Sequence, residues 1–207
     1  HIQLRQGNTS AALDTARRAR AMQSGSPALT LLLGQAAYQS GDYPWALSLF
    51  AEAVKELPRD AAAHFHHGLA ALMTGRMQEA HASASQALQL TSASDDEAER
   101  RRLFVQTLEV YATRDGPPSG GMVTAWAEQE ADPWLRPLIL LAQARFAGDE
   151  TEARYRALMD AYPDWPLPSR DWVSLRLASG RVDEHVLQRA REVRERMPDN
   201  HRANRNH

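Results

Sequence analysis

Three histidines fall within four positions at His64-Phe65-His66-His67, and imidazole can ligate a metal or move a proton near neutral pH. A zinc site needs at least three ligands converging at about 2.0–2.2 Å, whereas one helical face offers only two of these rings. His81 is the nearest addition, and no carboxylate stands at an obvious ligating spacing. The paired acids Asp95-Asp96 could share acid–base work, but they stand where a helix starts, and capping explains them. Arg100-Arg101-Arg102 could hold an anion; Asp95, Asp96, Glu97 and Glu99 precede them on the same helix, and pairing within that helix is the plainer reading. Ser119-Gly120-Gly121 beside two prolines is loop chemistry and not a phosphate cradle. GxSxG, phosphate-loop and HExxH patterns are absent from the sequence. The residue types therefore predict no catalytic residue, no metal and no cofactor.

The totals narrow the remaining classes. The 207 residues carry 24 basic and 26 acidic side chains, a formal net charge of -2, so no overall field favours nucleic acid or an anionic membrane. With no cysteine, thiol catalysis, disulfides and cysteine-ligated metals are excluded. No apolar run approaches the roughly 20 residues of a membrane helix, and no charged-then-apolar leader opens the chain. A soluble chain is expected, equally at home in bacterial cytoplasm or periplasm. Alanine, leucine and arginine abound while Lys55 is the only lysine, a bias associated with GC-rich bacterial genomes.

The elements that would position these residues repeat. Gly34 and Gly68, Gly41 and Gly75, Ala46 and Ala80, and Ala53 and Ala87 are each separated by 34 residues, and stepping back by the same period lands on Gly7, Ala12 and Ala19. Residues 27–40 place Leu29, Leu32, Leu33, Ala36 and Ala37 at helical spacing up to Gly41, and residues 43–57 place Trp45, Leu49, Phe50, Ala53, Val54 and Leu57 on a second helix that Pro58 stops. Gly34 sits mid-helix, where glycine costs about 1 kcal/mol relative to alanine, so close helix packing must compensate. One such hairpin cannot bury its own apolar face; stacked neighbours supply the core. On this register His64 and His67 share the stripe that carries Thr30 and Leu33 one unit earlier and are predicted packing positions, while His66 falls off it toward the inner surface.

The stretch LLLGQAAYQSGDYPWALSLFAEAVKELPRD, residues 31–60, closely resembles the tetratricopeptide repeat through Leu33-Gly34, Tyr38, Gly41-Asp42-Tyr43, Ala46, Phe50, Ala53 and Pro58. The resemblance is clear over about residues 4–94 and weakens afterwards. Residues 95–113 are predicted as one long helix, 114–121 as a loop replacing the tight turn, and 122–131 as its short partner. Pairs 134–147 with 150–162 and 169–179 with 183–197 follow as degenerate repeats, with a frayed tail. The expected organisation is thus a repeat array over 1–113, the loop, and degenerate pairs over 122–207, about eleven helices in all. Residues 1–6 hold only the end of a first helix, so the chain is expected to start inside a repeat of a longer parent.

The resemblance implies an all-α solenoid of stacked antiparallel helix pairs in a right-handed superhelix. It also implies a concave groove, lined by the first helix of each pair, that takes a peptide or helix of a partner protein. Its stripe would be Leu31, Gln35 and Tyr38 in one unit and Phe65, His66, Leu69, Leu72 and Met73 in the next, although stripes of this spacing are also those of a core. Family members that clamp the acidic C-terminus of chaperones use lysine, arginine and asparagine where this chain has Leu31, Gln35 and His66; only Arg100 could contribute, so a chaperone clamp is not expected. The implied function is a non-catalytic interaction scaffold, as in bacterial secretion, envelope-assembly or polysaccharide-export systems. The alternative is a substrate-positioning or regulatory domain of a larger enzyme such as a transferase or hydroxylase. Neither reading involves nucleic acid or membrane insertion.

Overall fold

The computed structural model describes residues 18, 26–92, 94–112 and 118–197. Among the described residues are ten α-helices and no strand, in keeping with a helical-repeat solenoid. The chain divides into two compact units, residues 1–105 and 106–207.

In the first unit α1 (Pro27–Gln39) packs on α2 (Tyr43–Glu56), α2 on α3 (Ala61–Met73), and α3 on α4 (Met77–Gln89). Each helix starts and stops for a local reason. Asp42 accepts a hydrogen bond from the Trp45 amide and Asp60 one from the Ala63 amide at 2.8 Å, so acidic caps satisfy N–H groups that have no helical partner. Gly41 and Gly75 end α1 and α3 at φ 86° and 80°, a left-handed geometry that disfavours side chains and turns each helix back along its neighbour. Lys55, exposed in the last turn of α2, puts its charge at the negative end of that helix.

Gly34 buys nothing by flexibility. A Cβ there would stand 2.6 Å from Cε1 of Phe50, which is fully enclosed, so its absence lets the α2 ring lie flat against α1. Gly34→Ala gains about 1 kcal/mol of helix propensity but overpacks the core at about 1–3 kcal/mol. A net loss is expected in urea denaturation; a stabilised variant would mean that the Phe50 ring can swing aside.

The helix α5 (Ala98–Ala112) contains the boundary between units. Its N-terminal half contributes Leu103 and Phe104 to the first core, where Phe104 meets Phe65 edge to face at 5.6 Å. The three arginines are held at home: Arg100 on Glu97, Arg102 on Glu99 at 2.7 Å, and buried Arg101 on Asp95 at 2.9 Å and on the Thr91 hydroxyl at 2.7 Å. Arg101 thereby ties the connection after α4 to α5.

In the second unit follow α6 (Gly120–Gln129), α7 (Arg136–Arg145), a 3-10 turn at Gly148–Glu150, α8 (Thr151–Ala161), α9 (Pro166–Ala178) and α10 (Glu184–Arg196). Here α7 packs on α8, α8 on α9 and α9 on α10. Buried Trp126 donates to the Thr107 hydroxyl at 2.9 Å, docking α6 on the C-terminal half of α5. Three helix starts differ from the sequence reading. Helix α5 starts at Ala98 and not at 95, because Asp95 accepts from the Glu97 amide in a turn that precedes it. Helix α6 starts at Gly120, inside the expected loop 114–121, because Ser119 caps it through the Met122 amide. Helix α9 starts at Pro166 and not at 169, because a first turn needs no N–H from proline. Residues 113–117 of the loop region, the expected C-terminal tail from 198 onward, and Gly7, Ala12 and Ala19 lie outside the described residues.

Candidate functional site

The eight residues predicted to line a groove do not form one surface. Phe65, Leu69, Leu72 and Met73 lie in the core, none more than 3% exposed, and His66 and Tyr38 are 8% exposed. This corrects the groove assignment for those residues. Helix α3 is packed by α1, α2 and α4, and by Phe104 of α5, so nearly its whole circumference is interior. Only Leu31 and Gln35, both on α1, keep intermediate exposure, and beside them Leu32 is 51% exposed.

The histidines separate into three environments. Half-exposed His64 donates from Nε2 to the Pro58 carbonyl at 3.0 Å. His67 hydrogen-bonds the Ser83 hydroxyl of α4 through Nδ1 at 2.7 Å and faces Glu79 through Nε2 at 3.4 Å. Burial lowers its pKa, against the opposing pull of the Glu79 carboxylate. His66, expected off the packing stripe, is instead enclosed: it stacks on Phe50 at 5.4 Å and meets Phe65 edge on. The Gln35 amide donates to its Nε2 at 2.8 Å. Burial, followed by the positive charges of Arg100 and Arg101, lowers the His66 pKa to about 4. A neutral imidazole accepting from Gln35 is a core element that spans α1 and α3. Since His64, His66 and His67 point their bonded nitrogens at three different partners, they do not converge on one ion. Among the described residues no cluster of three or more His, Asp or Glu is arranged for a metal.

A second polar grouping, which no local spacing announces, lies in the C-terminal unit. The Tyr111 hydroxyl of α5 donates to the Asp171 carboxylate and accepts from Arg170, both on α9, while Arg170 also pairs with Asp171 at 2.7 Å. Arg145, at the end of α7, places its guanidinium 5.6 Å from the centre of the Tyr111 ring, and Arg170 lies 5.9 Å from it. Tyr155 of α8 is 4% exposed. Burial and then the Asp171 carboxylate push its pKa up, with Arg145 and Arg170 pulling the other way. Burial likewise pushes the Tyr111 phenol well above its ordinary range. Both tyrosines are therefore neutral hydrogen-bonding groups at physiological pH.

A family model described as tetratricopeptide repeat matches residues 1–58 and 31–96. No curated protein and no solved structure matches the chain. No helix among the described residues is long and apolar enough to cross a membrane.

Proposed function

We propose, on the premise that residues 1–96 belong to the tetratricopeptide repeat family, whose repeats mediate protein–protein interaction, that this chain is a non-catalytic scaffold for a peptide or helix of a partner protein. Its binding face is the exposed side of α1, comprising Leu31, Leu32 and Gln35. The observation that carries this reading is Leu32. Its counterpart one repeat later, His66, is 8% exposed, whereas Leu32 is 51% exposed and leaves an apolar side chain in water. Covering the exposed half of such a leucine is worth about 1 kcal/mol, and an apolar stripe on a helix suits an amphipathic helix or hydrophobic peptide. Bacterial secretion, envelope assembly and polysaccharide export are the settings this reading favours, since such scaffolds organise multi-protein assemblies there.

The test begins with a photo-crosslinking residue at position 32, which identifies the partner. The affinity of that partner for wild type and Leu32→Lys is then compared. A loss of about tenfold to a hundredfold is expected, with an unchanged melting temperature because the side chain is not core. Equal affinities would remove α1 from the binding face.

A further inference from the structure

We propose that the open, shallow cleft between α9 and α10 is a subsite for one glutamate side chain of the partner protein. This rests on the scaffold reading above, but on the second unit, outside the residues matched to the repeat family. The two helices pack on each other, and one stripe of each lines the cleft. Pro166 and Ser169 stand one turn apart on α9; Arg189, Glu192, Val193 and Arg196 spread over two turns of α10.

Ser169 is the residue that its own helix leaves unexplained. Only 7% of it is exposed, yet its hydroxyl has no hydrogen-bond partner among the described residues, not even the carbonyl one turn back that Ser174 uses on the same helix. The oxygen is not sealed inside the protein, so it opens on the cleft that the residue lines. Polar side chains buried this deeply are normally paired, and a hydroxyl is a ready donor to an oxyanion.

Two guanidinium groups share the cleft, and neither has used up its donors. Arg189 gives one N–H to Glu192 at 3.0 Å. Arg196 gives one to the Pro163 carbonyl at 2.9 Å, which ties the end of α10 to the turn before α9, and it meets no carboxylate among the described residues. A guanidinium carries five N–H donors, so each keeps a free edge. Glu192, the one carboxylate lining the cleft, is engaged by Arg189 and by Gln188 at 3.4 Å and makes no bond to Ser169.

Charge and shape select the ligand. Arg189 and Arg196 against Glu192 leave one positive charge in excess, and no side chain caps the start of α9, so the positive end of that helix adds to it. One carboxylate cancels the excess and matches a guanidinium fork with its two oxygens; a phosphate dianion overshoots and meets Glu192. Pro166 and Val193 are apolar walls for the methylenes of a glutamate, which a bare chain terminus does not offer.

The probes are N-acetyl-glutamate N-methylamide, N-acetylglycine and inorganic phosphate at constant ionic strength, read by NMR of the arginine Nε–H signals of the whole chain. The Arg196 signal, assigned by its loss in Arg196→Gln, is expected to move saturably with the capped glutamate. Its apparent Kd should rise about tenfold in Ser169→Ala, whose melting temperature stays at wild type because the hydroxyl bonds nothing in the free protein. A linear, non-saturating shift, or an unchanged Kd in Ser169→Ala, overturns the subsite. Saturation at lower concentration by N-acetylglycine or by phosphate overturns the glutamate assignment, in favour of a chain terminus or a phosphate respectively. The partner crosslinked at position 32 should bind Arg196→Gln about tenfold more weakly; unchanged affinity removes the cleft from that partner's footprint. Should Leu32→Lys abolish partner binding while the capped glutamate leaves Arg196 unmoved, the subsite falls and the scaffold stands. Saturable glutamate binding beside unchanged partner affinity in Leu32→Lys keeps the cleft and removes the α1 face.

Discussion

Phe65→Ala is expected to lower the free energy of unfolding by about 3–5 kcal/mol, the range for truncating an enclosed phenylalanine. The ring is 3% exposed and makes edge-to-face contacts with Phe104 at 5.6 Å and His66 at 5.4 Å. Alanine would leave a cavity lined by both aromatic neighbours, and neither helix α3 nor α5 can close it without disturbing Gly68, whose missing side chain already brings Phe104 to 3.1 Å of an added Cβ. Urea denaturation measures the loss as a shift of midpoint at constant slope. A variant within about 1 kcal/mol of wild type would put Phe65 back on a surface and restore it to the groove.

The second large effect is a dependence of stability on pH. In the unfolded chain His66 titrates at its ordinary 6.5; in the folded chain it titrates at about 4, chiefly because burial disfavours the imidazolium, with Arg100 and Arg101 adding repulsion and Asp60 opposing them. Above pH 6.5 the ring is neutral in both states and costs nothing. As pH falls from 6.5 toward 4 the unfolded chain takes a proton that the folded chain refuses, so stability falls; below 4 both are protonated and the loss is complete. The gap between the two values corresponds to about 3 kcal/mol. His67, also lowered by burial, adds to the loss with the same sign. The carboxylates of Asp95, Asp183 and Glu152 are lowered as well, so their contributions are lost at still more acid pH. His66→Gln, which keeps a polar partner for Gln35, should flatten the slope between pH 7 and 4.5 by half or more. Parallel profiles for the two proteins would mean that His66 is not held neutral.

The repeat, its helices and their turns were legible because they rest on short-range spacing: Gly34 to Gly68, Gly41 to Gly75, Asp42 and Asp60 at helix starts. The surface was not. Leu32 and His66 occupy the same register position, yet one is 51% exposed and the other 8%, because a repeat pattern says which face of a helix is apolar and not how many neighbours surround it. For the same reason Phe65, Leu69, Leu72 and Met73 could be read as a groove: apolar residues at i, i+4 and i+7 look alike in a groove and in a core. The Tyr111–Asp171 bond joins residues 60 apart in sequence, and polar residues at that separation carry no periodic signal.

Lys55 carries the only side-chain amine of the 207 residues, and it is exposed in the last turn of α2. Acylating reagents aimed at lysine therefore meet one address on the folded surface, in the last turn of α2. A fluorophore or surface linker attached there gives a population labelled at one side-chain position without introducing a cysteine, and the arginine-rich remainder of the surface stays unmodified because guanidinium does not give up its proton at the pH of the coupling.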